Sequence, residues 1–196
     1  KALDDNTTGS HLTAVGYGAL GANTTASDNT AVGHDALAAN TTGAGNAALG
    51  SYALSQTTTG HSNTAIGSFS SSTGGSNVVG AMRMNTTGSQ NIAVGTGALG
   101  LNTTASNNTA VGFKALYANT TGTDNVAVGS EALDANTTGG ENTAFGRSTL
   151  SSNTTGSLNT AVGRTCMFSN TTGNWNTAIG RQALGANTTA SNNTAV

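Results

Sequence analysis

The stretch NTTASNNTAV occupies residues 102–111 and recurs unchanged at residues 187–196. A near copy, NTTASDNTAV, occupies residues 23–32. The two identical copies begin at Asn102 and Asn187, and five units of a 17-residue repeat separate these starting points. Self-similarity at a fixed period is the signature of a repeat protein, and it takes precedence over any local pattern.

The tripeptide Asn-Thr-Thr defines the 17-residue period. It occurs ten times, and successive copies start 17 residues apart except around the repeat that opens with Thr57. With the first Asn as position 1, the repeat reads N-T-T-G-x-x-N-T-A-V-G-x-x-A-L-x-x. The spacing predicts a shortened repeat at residues 74–84. The chain opens at position 13 and closes at position 10. We therefore interpret residues 1–196 as a single repeat array, irregular at residues 69–84, within a longer chain.

The composition excludes several classes of function. Only 7% of the residues are charged, the net charge is −2, and no Pro is present. A weak negative charge gives no attraction to nucleic acid or to an anionic membrane surface. No apolar run approaches the ~20 residues that a membrane-spanning helix needs. We expect no nucleic-acid partner and no membrane insertion within this segment.

The repeat is too short for a pair of helices, and its Gly, Thr and Asn are poor helix formers. The segment Thr-Ala-Val followed by Gly is typical of a brief strand that ends in a turn. Repeats of this length fit one coil of a β-solenoid, in which each coil adds about 4.8 Å. The sequence thus predicts an all-β fold, a parallel β-solenoid or β-roll of about eleven 17-residue coils.

Two apolar columns are expected to fill the coil interior, namely Val or Ile at position 10 and Leu at position 15. Gly at position 11 predicts a corner with positive φ or close backbone approach. Asn at positions 1 and 7 predicts two stacked amide ladders and tolerance of left-handed turns. Phe145 would take the place of Val in the core, whereas the column at position 15 would include Met167 and Ser71 as variants.

Position 9 is alanine in all regular repeats, and in a strand it points away from position 10. An outward column of alanines indicates that another chain lies against it. The interior columns alone bury little apolar area for a repeat of this length, so we expect side-by-side association in a homotrimer or fibre. The predicted self-association residues are Ala14, Ala31, Ala48, Ala65, Ala93, Ala110, Ala127, Ala144, Ala161 and Ala178.

The core N-T-A-V-G-x-x-A-L resembles the head repeats of trimeric autotransporter adhesins, whose motif is similar to N-S-V-A-I-G. The 17-residue form, with Ala-Leu-x-x-Asn-Thr-Thr-Gly between cores, is similar to repeats in phage tail-fibre-like proteins. The resemblance covers nearly the whole chain and fails only at residues 69–84. It implies a left-handed parallel β-roll three chains wide, in an extracellular, cell-surface or virion setting. The motif is specific for architecture and weak for binding target.

Arginine occupies position 12 in three successive repeats, so the side chains would stack about 4.8 Å apart. Like charges at that distance favour an anion, a phosphate or an acidic glycan between them, with Trp175 as a neighbouring sugar contact. The alternative is a solvated edge, or pairing of the arginines with Glu131 and Glu141 on this or another chain. The three arginines are Arg147, Arg164 and Arg181.

Asn-Thr-Thr is also an N-glycosylation sequon, although the same residues are explained as ladder residues. Thr at position 3 is expected on the same face as Asn, and a regular array of this kind leaves ice binding as an open alternative. The need for a turn explains the Asn-Thr-Thr-Gly sequence more simply. The candidate glycosylation sites are Asn6, Asn23, Asn40, Asn85, Asn102, Asn119, Asn136, Asn153, Asn170 and Asn187.

No catalytic or metal constellation stands out in the sequence. His11, His34 and His61 occupy different repeat positions, and Cys166 replaces a small Ala and is expected to be buried. We expect no enzyme activity, cofactor or metal. The sequence favours a structural segment of an extracellular fibre, filament or tail-fibre shaft that associates with itself. An adhesin head binding host-surface glycans and an ice-binding solenoid stay as alternatives.

Overall fold

The computed structural model describes residues 1–69 and 78–196. Eleven short strands form one parallel sheet in which each strand pairs with the next along the chain. The chain winds as a β-solenoid of about ten turns with a 17-residue spacing, which confirms the predicted all-β parallel architecture. The strands are β1 (Thr13–Val15), β2 (Thr30–Val32), β3 (Ala47–Leu49), β4 (Thr64–Ile66), β5 (Ile92–Val94), β6 (Thr109–Val111), β7 (Val126–Val128), β8 (Thr143–Phe145), β9 (Thr160–Val162), β10 (Thr177–Ile179) and β11 (Thr194–Ala195).

Strands β1 to β10 each end at position 10, directly before the glycine of position 11. Gly33 has a φ of 141°, and a Cβ built on it would lie 2.5 Å from the carbonyl oxygen of Gly50 in the next coil. The backbone therefore needs both the unusual conformation and the close approach that only glycine allows. The prediction for position 11 is confirmed.

The interior of the coil is built from small side chains on the strand and a larger one opposite. Ala110 at position 9 is fully buried, as are Ala115 and Leu116 at positions 14 and 15. Val15 at position 10 is 58% exposed, and Phe145 is 42% exposed. The predicted orientation of positions 9 and 10 is therefore wrong, because the two faces of the strand are exchanged.

The physical reason is space. Leu at position 15 and the amides of two asparagines already occupy each coil, which leaves room only for a methyl group on the strand opposite them. The alanines predicted to mediate self-association lie inside the solenoid and cannot reach another chain. They are Ala14, which is partly buried at the first coil, and the buried Ala31, Ala48, Ala65, Ala93, Ala110, Ala127, Ala144, Ala161 and Ala178.

The column at position 15 lies inside, as predicted, and adopts a left-handed backbone. Leu116 has a φ of 51° and Met167 a φ of 49°, and both side chains are fully buried. This region of φ and ψ is especially unfavourable for residues branched at Cβ. Leu and Met can fill the column where Val and Ile cannot. Ser71, assigned to this column from the sequence, lies outside the described residues.

The asparagines of position 1 form a ladder along the solenoid. The Nδ2 atom of Asn119 donates to Oδ1 of Asn102 in the preceding coil at 3.2 Å and to the carbonyl oxygen of Gly122 at 2.9 Å. In the regular part of the ladder, each amide thus accepts from one neighbouring coil and donates to the other, and the coil that opens with Thr57 interrupts this pattern. The ladder predicted for position 1 is confirmed.

The asparagines of position 7 form the second ladder. The backbone N–H and the Nδ2 atom of Asn125 both donate to Oδ1 of Asn108, at 3.0 and 3.1 Å, and Nδ2 also donates to the carbonyl oxygen of Gly139 at 2.9 Å. In the described coils the ladder asparagines have negative φ, and the left-handed non-glycine residues occupy positions 6, 13 and 15. The expectation that ladder asparagines take left-handed turns is wrong.

One coil is longer than the others. Strand β4 pairs with β5 in register, although Thr64 and its partner Ile92 are farther apart along the chain than the paired residues of regular coils. The backbone N–H of Ala81 donates to the carbonyl oxygen of Gly67 at 3.1 Å, as Ala53 does to Gly50 at 3.3 Å in the preceding coil. The hydrogen bond between positions 14 and 11 is therefore kept in this coil, although its two residues are farther apart along the chain.

Residues 57–84 form a single coil in which eleven extra residues separate Phe69 from Ala81. The predicted shortened repeat at residues 74–84 is wrong. A constant 17-residue step places Ser70 and Ser71 at positions 14 and 15 of this coil, and both lie outside the described residues. In this coil Ala81 and Met82, both fully buried, fill those two places.

The described end of the extra segment packs on glycines of the following coil. A Cβ on Gly97 would lie 2.6 Å from Cγ1 of Val78, and one on Gly100 would lie 2.5 Å from Cγ2 of Val79. Positions 13 and 16 of that coil are glycine because the two valine side chains occupy the space of a side chain.

Substitution of the inner and outer columns tests the orientation of the strand. We expect Leu116→Ala to lower the free energy of unfolding by about 3–5 kcal/mol, because it leaves a cavity in a closely packed interior. Val111→Ala on the outer side should cost less than about 1 kcal/mol in the isolated chain. Chemical denaturation of both variants measures the difference, and equal losses would contradict the assigned orientation.

A gap in the first ladder offers a stabilising substitution. Asn40 Oδ1 is buried without a hydrogen-bond partner, because the next coil has Thr57 where a ladder asparagine would donate to it. We expect Thr57→Asn to raise the free energy of unfolding by about 1–2 kcal/mol through the restored hydrogen bond. Thr59→Asn, at an exposed position of the same coil, is the control and should change little. A destabilised Thr57→Asn chain would argue against the ladder geometry.

Candidate interaction surfaces

The outward side of the sheet is a surface of repeating composition in the described chain. We define the outer sheet face as the first and third residues of strands β1 to β10. None of these twenty side chains is charged, and the third is apolar in every strand. Leu49, Phe145 and Ile179 are 50%, 42% and 45% exposed. With coils about 4.8 Å apart, the apolar column runs about 43 Å along the solenoid.

The sequence contained a signal for this face that the orientation error hid. Position 10 varies in size between Val, Leu, Ile and Phe, whereas position 9 stays alanine. A closely packed interior tolerates a change of volume poorly, while an outward column accepts several sizes. Uniform size therefore marks the inner column here, and variable size marks the outer one.

The second surface is the variable edge, which we define as positions 12, 13 and 16 in the turn after each strand. It carries every Lys and Arg of the chain, and the chain has no Asp or Glu after Glu141. In the described ranges, the three predicted column arginines form no ion pair. The six cationic residues are Lys1, Arg83, Lys114, Arg147, Arg164 and Arg181.

Within one chain, the alternative pairing of the arginines with Glu131 and Glu141 does not form. The carboxylate of Glu131 accepts a hydrogen bond from Oγ of Ser148 at 3.4 Å. Glu141 precedes strand β8, whereas Arg147 follows it, so the two lie at opposite ends of that strand. In the part of the chain that the structure describes, the column arginines therefore have no ion-pair partner within 4.0 Å.

Trp175 is not beside the arginine column. It precedes strand β10 and is 58% exposed, while Arg181 follows the same strand. The predicted joint contact of Trp175 with the arginines is therefore wrong. The aromatic residue on the arginine side is Phe168, at position 16 of the variable edge and 45% exposed.

An open groove of about 440 Å³ lies on the variable edge of the coils that begin at Asn153 and Asn170. Phe168 forms its apolar wall, and Thr165 and Gln182 directly follow Arg164 and Arg181 in the sequence. The remaining lining residues are Gly185 and Ala186. The groove was not predicted, because positions 13 and 16 look unrelated in the repeat pattern.

A stack of rings covers another part of the variable edge. The ring centroids of Tyr17 and His34 are 5.4 Å apart, those of His34 and Tyr52 are 5.3 Å apart, and those of Tyr52 and Phe69 are 5.9 Å apart. The guanidinium of Arg83 lies 5.2 Å from the Tyr52 centroid and 6.0 Å from that of Phe69. The rings contact one another, so this cluster stabilises the edge beside the long coil.

The sequon asparagines are closed to glycosylation in the folded chain. Each Nδ2 atom donates to a backbone carbonyl or a neighbouring amide, as Asn23 and Asn6 do at the first coil. The predicted sites Asn23, Asn40, Asn85, Asn102, Asn119, Asn136, Asn153 and Asn170 are fully buried, and Asn6 and Asn187 are partly buried. The glycosylation hypothesis is therefore contradicted at these positions.

The threonine surface expected for ice binding is also different from the prediction. Thr25 and Thr104 at position 3 are exposed, but Asn23 and Asn102 at position 1 are fully buried. Asn and Thr therefore do not share a face, and position 3 lies in a bend outside the sheet. The paired array on which that hypothesis depended does not form.

The remaining candidates stay separate. His11 lies 3.1 Å from the Asp28 carboxylate, and within residues 1–69 and 78–196 no group of three potential metal ligands occurs. Cys166 is buried, as predicted, and burial raises the pKa of its thiol. In the same ranges, no helix has the length and hydropathy needed to cross a membrane.

Asp134 is the acidic residue of the variable edge with a shifted pKa. Burial, and then the carboxylate of Glu131, raise its pKa to about 6, and the ammonium of Lys114 opposes the shift. Its Oδ1 atom is buried and has no hydrogen-bond partner among the described residues. The carboxylate is thus poorly accommodated in its charged form.

Comparison of the chain with protein-family models, with curated proteins and with solved structures gives no match. The geometry described above is therefore the basis for the functional proposals that follow.

The shifted carboxyl predicts a pH-dependent stability. Since the folded-state pKa of Asp134 lies above its ordinary value of 3.8, its stabilising contribution is complete below that value and is lost as the pH rises through about 6. We expect a loss of roughly 1 kcal/mol for this half-exposed group, reduced by solvent screening. Denaturation across this pH range should show that Asp134→Asn removes the loss.

Asp124→Asn is the matched control, because it removes an exposed carboxylate from the other end of the strands. It should leave the pH dependence unchanged. A chain with Asp134→Asn that keeps the full pH dependence would contradict the assignment.

Proposed function

We propose that this chain is a structural, non-enzymatic segment of an extracellular fibre, filament or tail-fibre shaft, formed by self-association of β-solenoids. The observation that carries the proposal is the outer sheet face, with its uncharged and uninterrupted apolar column. Soluble monomers seldom leave contiguous apolar patches beyond a few hundred Å² exposed. The repeat number would set the length of the shaft, and the asparagine ladders would set its stiffness.

A second copy of the same chain is the occupant that best fits the face. The outer sheet face has a constant spacing along the solenoid and no charge, so a parallel copy can meet it with the same side chains in every coil. A partner of different sequence would need the same period. The charged groups lie at the turns on either side, where they stay in water when the faces associate.

We propose a homotrimer as the oligomer, with three outer sheet faces around a common axis. The support is the resemblance of N-T-A-V-G-x-x-A-L to trimeric adhesin heads, together with the outward column at position 10. In this arrangement the chains contact one another through the Val, Leu, Ile and Phe side chains of position 10, and not through the alanines of position 9. An extracellular, cell-surface or virion location follows from the same resemblance.

The proposal predicts that charge on the outer sheet face separates the chains. We expect the 19.0 kDa chain to sediment and scatter light as an oligomer of about three times that mass. Because the added ammonium groups would be buried without partners, Phe145→Lys with Val162→Lys should yield monomers with unchanged circular dichroism. Thr104→Lys, exposed at a bend outside the sheet, is the control and should leave the oligomer intact.

A monomeric wild-type chain at micromolar concentration would overturn the proposal. If that monomer also produced thermal hysteresis that Phe145→Lys with Val162→Lys abolished, the same face would be assigned to ice.

A further inference from the structure

The two edges of the outer sheet face carry charges of opposite sign. We define the leading edge as position 6, two residues before each strand, and compare it with position 12, two residues after strands β1 to β10. No Lys or Arg occurs at position 6, which holds the acids Asp28, Asp124 and Glu141. No Asp or Glu occurs at position 12, which holds the column arginines. Histidines aside, the face therefore has only negative charges before it and only positive charges directly after it.

The two positions also change character in the same coils. In the three coils with arginine at position 12, position 6 holds Glu141, Leu158 and Trp175 in turn. Leu158 and Trp175 are 38% and 58% exposed, and they are the only large apolar residues of the leading edge. In the coils that open at Asn40 and Asn85, both positions hold a small or an uncharged polar residue. Because the strand separates the two positions within one chain, contact between them needs a second chain.

Rotational symmetry brings the two edges together. When parallel copies of the chain surround a common axis, each rotation preserves the direction in which the strands cross the face. The end of a strand in one copy therefore lies beside the start of the equivalent strand in the next copy. A closed ring has no shift along its axis, so position 12 of one copy meets position 6 of the same coil in its neighbour.

We propose that the leading edge of one copy binds position 12 of the next copy, with Glu141 paired to Arg147 across each contact. This inference rests on the proposed self-association through the outer sheet face. Both side chains are exposed, and in the described ranges no ion pair joins either of them to another residue. The planar guanidinium matches the two oxygens of a carboxylate, so the pair forms without rearrangement of the coils.

The two following coils supply apolar contacts at the same edge. Arg164 of one copy lies against Leu158 of the next, which covers the methylene stem of the arginine. Arg181 lies against Trp175, whose ring face attracts a guanidinium. The second copy thus gives each column arginine a partner that its own chain does not provide.

One coil of the outer sheet face shows a matching pair in side-chain size. Ala47 is the one alanine at position 8 of strands β1 to β10, and Leu49 is the one leucine at position 10. Under the same symmetry, position 10 of one copy lies toward position 8 of the next, so the small Ala47 leaves room for Leu49. The larger Phe145 has Thr143 in this place, so the compensation in size is limited to one coil.

The charges favour parallel copies over antiparallel ones. A copy turned about an axis along the strands would place each edge against the same edge of its partner. Arginines would then lie on the same side as arginines, and acids on the same side as acids, and like charges at an interface oppose association.

Reversal of the charges at one contact tests the pairing in the full chain. At low ionic strength we expect Glu141→Arg and Arg147→Glu each to raise the concentration at which half of the oligomer dissociates by about tenfold, as measured by sedimentation. The double variant, Glu141→Arg with Arg147→Glu, should return to within about twofold of the wild-type value. Because the two residues lie at opposite ends of a strand, this recovery requires contact between chains.

Gln90→Arg is the matched control. Gln90 is exposed at position 6, adopts the same left-handed backbone as Glu141 and has the uncharged Thr96 at position 12 of its coil. The substitution should change the dissociation concentration less than about twofold. A loss equal to that of Glu141→Arg would show a general effect of charge and would contradict the pairing.

The wild-type chain separates this inference from the proposed function. A monomeric wild-type chain would overturn both. An oligomer that Phe145→Lys with Val162→Lys dissociates, but that Glu141→Arg leaves unchanged, would overturn the pairing alone. Losses in both single variants without recovery in the double variant would do the same. Circular dichroism of each variant checks that the coils are intact.

Discussion

Each asparagine amide of the two ladders carries a donor and an acceptor on one short side chain. Asn119 accepts from the coil on one side through Oδ1 and donates to the coil on the other side through Nδ2. In a buried, low-dielectric interior such bonds are strong, and an unpaired amide is costly. The equivalent asparagines of successive coils must therefore lie directly above one another. This alignment keeps the strands, the glycine corners and the leucine column in register.

Most of the fold follows from the repeat pattern. The period predicts the solenoid, and the invariant glycine and the stacked asparagines predict the corner and the ladders. The alternation of Ala and Val shows that the two point to opposite faces, but it does not decide which face is inner. Hydrophobicity favours Val inside, whereas the volume left by Leu116 and the ladder amides admits only Ala110. Which of the two positions faces the interior depends on three-dimensional packing. The sequence indicates it only if the variable side-chain size at position 10 is taken as a sign of exposure.

The surfaces were less predictable than the fold. The arginine column follows directly from position 12, but its relation to Phe168 depends on which end of a strand each position occupies. The sequence placed Trp175 near the arginines because it is close to them along the chain, whereas the strand separates them.

The long coil shows where this architecture accepts new sequence. Eleven residues enter between Phe69 and Ala81, and the hydrogen bond from Ala81 to Gly67 still closes at 3.1 Å. The ladder of position 7 continues across that coil, since Asn91 donates to Oδ1 of Asn63 as its counterparts do elsewhere. Strands β4 and β5, before and after the added residues, pair in the same register as the other neighbouring strands. Peptides grafted at the corresponding turns of other coils would therefore be displayed at regular intervals along a rod whose winding they leave intact.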